Sequence, residues 1–340
     1  MSAVVVFIIF AICLIIAIPI SISLGIVAVL PGAFDASFTA SAGYVIRSMV
    51  GGIDSFPLLA VPMFVLAGIL MAHGKISEKL FDVFVYFLGN KRAGIPCAVI
   101  ITCLFYGAIS GSAPATVAAV GSMTIPLLIE LGYEKDFSTA IVAVAGGLGV
   151  IIPPSIPFIM YAMATGESVS DLFLAGIVPG MMISALLIFY AYYYCRRHGE
   201  DREKIQAKMD QLKTKGFVNI LKESIWALLS PVIVLGCIYS GVASPTEAAV
   251  ISVFYSLCVS LFIYKSIKVK QIWGIMVEAM KTYAPILFIL ATSTAFSRVL
   301  TLMQVPQDVS AWIMTHFSNE IVLLLVINVV LLIVGMVMDT

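Results

Sequence analysis

The chain of 340 residues is 61% apolar and only 11% charged, with basic and acidic residues balanced at 19 each. A mean hydropathy of +1.10 excludes a soluble domain and points to an all-α polytopic membrane protein, and zero net charge gives no argument for a nucleic-acid or acidic partner. The cysteines, Cys13, Cys97, Cys103, Cys195, Cys237 and Cys258, form no C-x-x-C pair and read as packing residues. No G-x-S-x-G, H-E-x-x-H or phosphate loop is present, so neither catalytic residues nor a cofactor is expected.

Residues 1–36 are expected to hold one retained span, free of charge from Ala3 to Leu30, broken at Pro31-Gly32 and too long for a signal-peptide core. Residues 37–50 read as a short interfacial helix and 56–71 as a span interrupted at Pro62. Residues 75–89 alternate charged and apolar positions at helical spacing, which suits a helix lying in the membrane surface. From Ile95 to Glu130 two apolar arms flank the small-residue tip S-G-S-A-P-A-T at 110–116. An arm of roughly 15 residues reaches only about 23 Å, short of the roughly 30 Å hydrocarbon core, so 95–130 is expected to be a re-entrant hairpin.

Beyond the hairpin, 139–165 is an apolar run that Gly146, Gly147 and Gly149 with Pro153, Pro154 and Pro157 must break, giving a discontinuous helix. Residues 172–195 read as a span and 196–222 as a charged cytoplasmic loop. Two more spans, 225–239 and 246–264, are separated by a stretch in which Ser244 is a helix N-cap, Pro245 a first-turn residue and Glu247 a first-turn acid. Residues 268–282 read as a second interfacial helix, 283–302 as a span, 305–318 as an interfacial segment and 321–338 as an apolar arm.

If the hairpin opens from the cytoplasm and each span crosses once, every basic residue except Arg47 and Arg298 falls on the cytoplasmic side, as the positive-inside rule requires. The segments starting at Ser37 and Lys268 then run in the same order with opposite orientation. That predicts an inverted repeat, 37–195 and 223–340, the mark of secondary transporters whose sites lie between broken helices at the bilayer midplane. The second copy stops where the first would turn. The protein is therefore expected to continue past Thr340 into a second hairpin, whose tip begins at Met338-Asp339-Thr340, and at least one further span.

Ser110, Gly111, Ser112 and Thr116 offer hydroxyls and open backbone near Gly146, Gly149, Ile152 and Pro154. A small hard cation such as Na⁺ takes several oxygens, and carbonyls freed by Gly and Pro supply them without bringing a charge into the membrane. The same small residues would equally permit close helix packing. Arg298 is the one basic residue well inside a span. It reads either as a contact for a substrate carboxylate, with Asp339 as partner or second contact, or as a side chain snorkelling to the interface. Tyr192, Tyr193 and Tyr194, followed by Arg196 and Arg197, form an interfacial anchor.

The stretches GGIDSFPLLAVPMFVLAGILM, FYGAISGSAPATVAAVGSMTIPLLIELGY, GGLGVIIPPSIPFIMYA and SGVASPTEAA, in that order, resemble the large membrane subunit of tripartite ATP-independent periplasmic (TRAP) transporters, the DctM-like family. The resemblance covers essentially the whole chain and implies an elevator-type transport domain with two hairpins. It also implies Na⁺-driven uptake of an organic acid such as a C4-dicarboxylate or sialic acid. The implied partners are a periplasmic substrate-binding protein and a small four-helix membrane subunit, and the implied location is the bacterial inner membrane. By motif, one Na⁺ would be held by Ser110 and Ser112 with the backbone of Gly149, Ile152 and Pro154. A second would lie near Thr292, Ser293 and Gly335, and Ser112, Arg298 and Asp339 would face the substrate. A stand-alone Na⁺/carboxylate symporter of the wider superfamily is the alternative. A channel is disfavoured, because the polar groups gather at hairpin tips and do not run along one helix face.

Overall fold

The computed structural model describes residues 2–35, 38–214, 216–316 and 319–337, and the regular elements among the described residues are all helices, with no strand. In chain order the α-helices are α1 (Ala3–Ile15), α2 (Ile20–Phe34), α3 (Ala42–Ile53), α4 (Ala60–His73), α5 (Ile76–Leu88), α6 (Gly94–Ser110), α7 (Ala113–Glu130) and α8 (Lys135–Gly146). They continue as α9 (Ile156–Thr165), α10 (Val169–His198), α11 (Arg202–Thr214), α12 (Phe217–Tyr239), α13 (Pro245–Cys258), α14 (Val269–Leu302), α15 (Val305–His316) and α16 (Glu320–Val337). Six of the helical segments are long and apolar enough to cross a membrane, which makes the chain a multi-pass membrane protein. It divides into two units, Met1–Ser55 with Ala284–Thr340, and Phe56–Tyr283.

Four expectations are corrected. The single N-terminal span is two helices, because α1 ends in a left-handed turn at Ala17, φ 62°. Its last carbonyls are closed there by the Ile18 amide on Cys13 and the Ala17 amide on Leu14, and Pro19 starts α2 afresh. Pro31 does not end α2, since near a helix C-terminus a proline forfeits one bond while its own carbonyl still accepts the Asp35 amide at 3.1 Å. Residues 196–222 are not loop throughout. Ile205, Met209 and Leu212 recur at helical spacing on α11, and all three are buried in the core of the second unit; α12 likewise starts at Phe217, ahead of the expected span. Finally, the interfacial helix and span expected at 268–302 are one continuous helix of 34 residues with Pro285 inside it. Pro62, by contrast, sits in the first turn of α4, after a 3₁₀ turn at Phe56–Leu59, where its missing amide costs nothing.

In the first unit, Val6 of α1, Leu24, Val27 and Ala28 of α2, Val45 of α3 and Ala295, Phe296 and Val299 of α14 share one core. Phe296 stacks on Phe10 with ring centroids 6.1 Å apart and meets Phe7 edge-on at 6.2 Å. Gly52 of α3 admits Thr294 of α14 so closely that a Cβ there would lie 2.7 Å from its side chain. α15 has no buried side chain.

The second unit is built around the α6–α7 hairpin. In lipid, helices gain little from hiding apolar surface, so close packing of small residues and internal hydrogen bonds carry the association. The α4–α13 seam shows the small-residue packing, with Thr246, Ala249, Ser252 and Ser256 of α13 all buried. α13 opens with the expected cap. Ser244 accepts the Glu247 amide at 3.4 Å while the Glu247 carboxylate accepts the Ser244 amide at 2.8 Å. The hairpin arms are 17 and 18 residues long, and α7 meets the length and composition of a membrane span. The arm-length argument for re-entry therefore does not apply to α7.

Candidate functional site

The sequence forces four helix ends to meet. α6 stops because Gly111 adopts φ +62°, a conformation that glycine takes without strain. α7 starts from Ser112, whose hydroxyl accepts the Ala115 amide at 3.5 Å. α8 runs into a 3₁₀ turn at Gly147–Val150 and an irregular stretch through Pro153-Pro154. α9 starts from Ser155, whose hydroxyl accepts the Phe158 amide at 3.4 Å and donates to the Val150 carbonyl at 2.6 Å. The carbonyl ends of two helices and the amide ends of two others thus converge, the first favouring a cation and the second an anion.

Backbone contact draws the hairpin tip and the broken helix together. The Ile156 amide donates to the Gly111 carbonyl at 3.3 Å. A Cβ on Gly111 would stand 2.8 Å from the Pro154 carbonyl oxygen, and a Cβ on Gly107 would stand 2.5 Å from the Gly149 Cα. A Cβ on Gly149 would stand 2.5 Å from Thr116 Oγ1 and 2.9 Å from the Ser112 carbonyl oxygen. Ser110, Ser112, Gly149, Ile152 and Pro154 therefore form one neighbourhood, buried except for the half-buried Ser112.

The donor set is neutral oxygen. Ser110 Oγ lies 3.0 Å from Thr116 Oγ1, and the Ser112 carbonyl accepts the Thr116 hydroxyl at 2.8 Å and the Thr116 amide at 3.0 Å. Among the described residues, no backbone amide donates to the carbonyls of Gly149, Ile152 or Pro154. Neutral hydroxyl and carbonyl oxygens gathered at one tip are chemically suited to a small hard cation.

Three supporting residues escaped the sequence reading. Gly107 and Gly68 are ordinary helix residues by pattern, yet a Cβ on Gly68 would stand 3.1 Å from Ser110. Tyr106, fully buried, donates its hydroxyl to the Gly68 carbonyl at 2.9 Å and fastens α4 to the hairpin. For Tyr106 the available signal was a phenol inside an apolar helical arm, where its hydroxyl must find a partner.

The first unit holds the other candidates. Thr292 is buried, but its hydroxyl donates to the Phe288 and Ile289 carbonyls of its own helix at 3.1 and 3.0 Å. Ser293 is exposed, and a Cβ built on Gly335 meets nothing within 4 Å, so these three residues are not gathered into a site. Arg298 is exposed on α14, with its guanidinium across α3: a Cβ on Gly51 would lie 3.8 Å from Nη1. Asp339 lies outside the described residues.

The profile of the DctM component of tripartite ATP-independent periplasmic transporters matches residues 7–340. The chain is 40% identical over 330 residues to the isethionate TRAP transporter permease protein DctMQ of Oleidesulfovibrio alaskensis, covering 97% of this chain and 51% of that protein. It is 38% identical over 286 residues to the C4-dicarboxylate TRAP transporter large permease protein DctM of Pseudomonas aeruginosa, covering 84% and 66%. With the 2,3-diketo-L-gulonate TRAP transporter large permease protein YiaN of Escherichia coli it shares 36% identity over 293 residues, covering 86% and 68%. The chain thus spans from about half to two thirds of the length of these relatives.

Proposed function

The chain belongs to the DctM component family of tripartite ATP-independent periplasmic transporters, a family of permeases and not of enzymes, and from that premise we propose that it acts in Na⁺-coupled uptake of a small organic anion across the inner membrane. The observation that carries the reading is the hairpin tip seated on the broken helix, with the Ser112 carbonyl and Thr116 hydroxyl against Gly149 and the Pro154 carbonyl against Gly111. Na⁺ binds these neutral oxygens, and its charge then favours an anion at the amide ends of α7 and α9. The substrates for which the relatives are named, isethionate, a C4-dicarboxylate and 2,3-diketo-L-gulonate, share an anionic head on a small polar body. An anionic head suits Arg298 as a substrate contact, and a polar body suits Asp339 as another.

In this reading the hairpin re-enters the membrane and pairs with an inverted second copy, and the unit carrying the tip moves as an elevator. A periplasmic binding protein delivers the anion, and a small membrane subunit completes the scaffold. The test is uptake into proteoliposomes by the full-length permease with both partners. Ser112→Ala should raise the half-saturating Na⁺ concentration about tenfold, and omission of the binding protein should abolish uptake. Unchanged Na⁺ dependence in Ser112→Ala would remove the ion-site assignment, and uptake without the binding protein would favour a stand-alone symporter.

A further inference from the structure

We infer that Thr116 is a positioning residue that fixes the proton of Ser110 and so decides which way the Ser110 oxygen faces, an inference that rests on the ion site proposed above. Each hydroxyl has one proton to give. Thr116 Oγ carries one, and its 2.8 Å contact is with the Ser112 carbonyl, which can only accept. That proton is therefore committed, and the 3.0 Å contact between Thr116 Oγ1 and Ser110 Oγ must be made with the Ser110 proton, Thr116 accepting. The competing acceptor for the Ser110 proton, the Ser112 carbonyl, is 3.4 Å away and already takes two bonds from Thr116.

Both hydroxyls are buried, at 1% exposure for Ser110 and 0% for Thr116, so water does not offer either proton another partner. With its hydrogen turned to Thr116, Ser110 directs its lone pairs elsewhere. Among the described residues, the one amide that reaches toward them, that of Ser112, is 3.5 Å away, too long to occupy the oxygen. A hydroxyl that already donates to a neighbour is a better cation ligand than one whose hydrogen is free to swing toward the ion. A threonine back-bonded to its own helix is commonplace, as Thr102 and Thr124 show with bonds of 2.7 Å to Ala98 and Val120. The second contact, across the tip to Ser110, is what those two lack.

The test compares Thr116→Val, of nearly the same shape but without the hydroxyl, with Thr116→Ser, which keeps it. In the full-length permease, Thr116→Val should raise half-saturating Na⁺ for uptake about tenfold. It should also shrink the rise in melting temperature that Na⁺ gives over K⁺, a difference in which the stability lost with the hydrogen bond itself cancels. Thr116→Ser should restore both within about twofold. Ser110→Ala in parallel separates two failures. If Ser110→Ala weakens Na⁺ dependence and Thr116→Val does not, the positioning role is wrong and the ion site stands. If neither does, the ion site itself is wrong. Failure of Thr116→Ser to restore Na⁺ affinity would mean that the methyl packing, and not the proton, matters, and the inference would be overturned.

Discussion

Gly107 and Gly149 meet backbone to backbone. A methyl group added to Gly107 would stand 2.5 Å from the Gly149 Cα and 3.0 Å from its nitrogen, so α6 and the 3₁₀ turn come this close only because Gly107 lacks a side chain. The approach is what sets the Ser112 carbonyl and Thr116 hydroxyl against Gly149 on its other side.

Alanine at either glycine should therefore open the site before it unfolds the protein. In Gly149→Ala the new methyl must displace Thr116 Oγ1 and the Ser112 carbonyl oxygen, 2.5 and 2.9 Å away, at an overpacking cost of about 1–3 kcal/mol. Na⁺-driven uptake should fall about tenfold or more by that cost, with expression largely kept. Gly147→Ala is the control, since a Cβ there meets nothing within 4 Å, and its activity should match wild type. Equal effects from Gly147→Ala and Gly149→Ala would show that the loss reflects backbone flexibility and not the contact.

For Arg298 the prediction turns on geometry. Its guanidinium lies beside Gly51 of α3, where even an added Cβ would stand 3.8 Å from Nη1. Lysine keeps the charge but cannot make a bidentate contact, so Arg298→Lys and Arg298→Gln should both lower anion uptake about ten- to hundredfold while partner assembly persists. Uptake retained in Arg298→Gln would leave the arginine with a snorkelling role only.

The parts of this arrangement that were legible in the sequence are those where a residue type acts on its own neighbours. Gly111 and Ser112 end one helix and start another wherever they are placed, Pro153-Pro154 interrupts a helix in any context, and Ser244 with Glu247 encodes its cap over three residues. The meeting of Gly107 with Gly149, or of Gly68 with Ser110, depends on partners 42 residues away in either case, and no local pattern carries it. The helix α11 was legible and missed, because its charges hid the spacing of Ile205, Met209 and Leu212. α14 was misread for the opposite reason: Lys281 and Pro285 resemble a boundary, yet the helix runs through both.

The base of the hairpin yields the last prediction. Glu200, with its side chain 3% exposed, accepts from the Ala93 amide at 2.9 Å, the Tyr133 hydroxyl at 2.8 Å and Arg202 Nη2 at 3.0 Å. Ala93 precedes α6 and Tyr133 follows α7, so one carboxylate ties both ends of the hairpin to the segment after α10. Glu200→Ala strands a buried amide and a buried hydroxyl and should cost about 2–3 kcal/mol of stability, read as a lower melting temperature with Na⁺ affinity unchanged. Tyr133→Phe removes one bond and should cost about 1 kcal/mol. Burial and the bond to Glu200 hold the Tyr133 phenol far above its usual range. A group whose folded pKa is raised stabilises fully below its unfolded value, about 10, and loses that contribution as pH rises beyond it. The wild-type advantage over Tyr133→Phe should accordingly be constant from pH 7 to about pH 9.5 and shrink above about pH 10, measured by melting in detergent. An advantage that persists unchanged at about pH 11 would mean that the phenol is not what ties Glu200 to the end of α7.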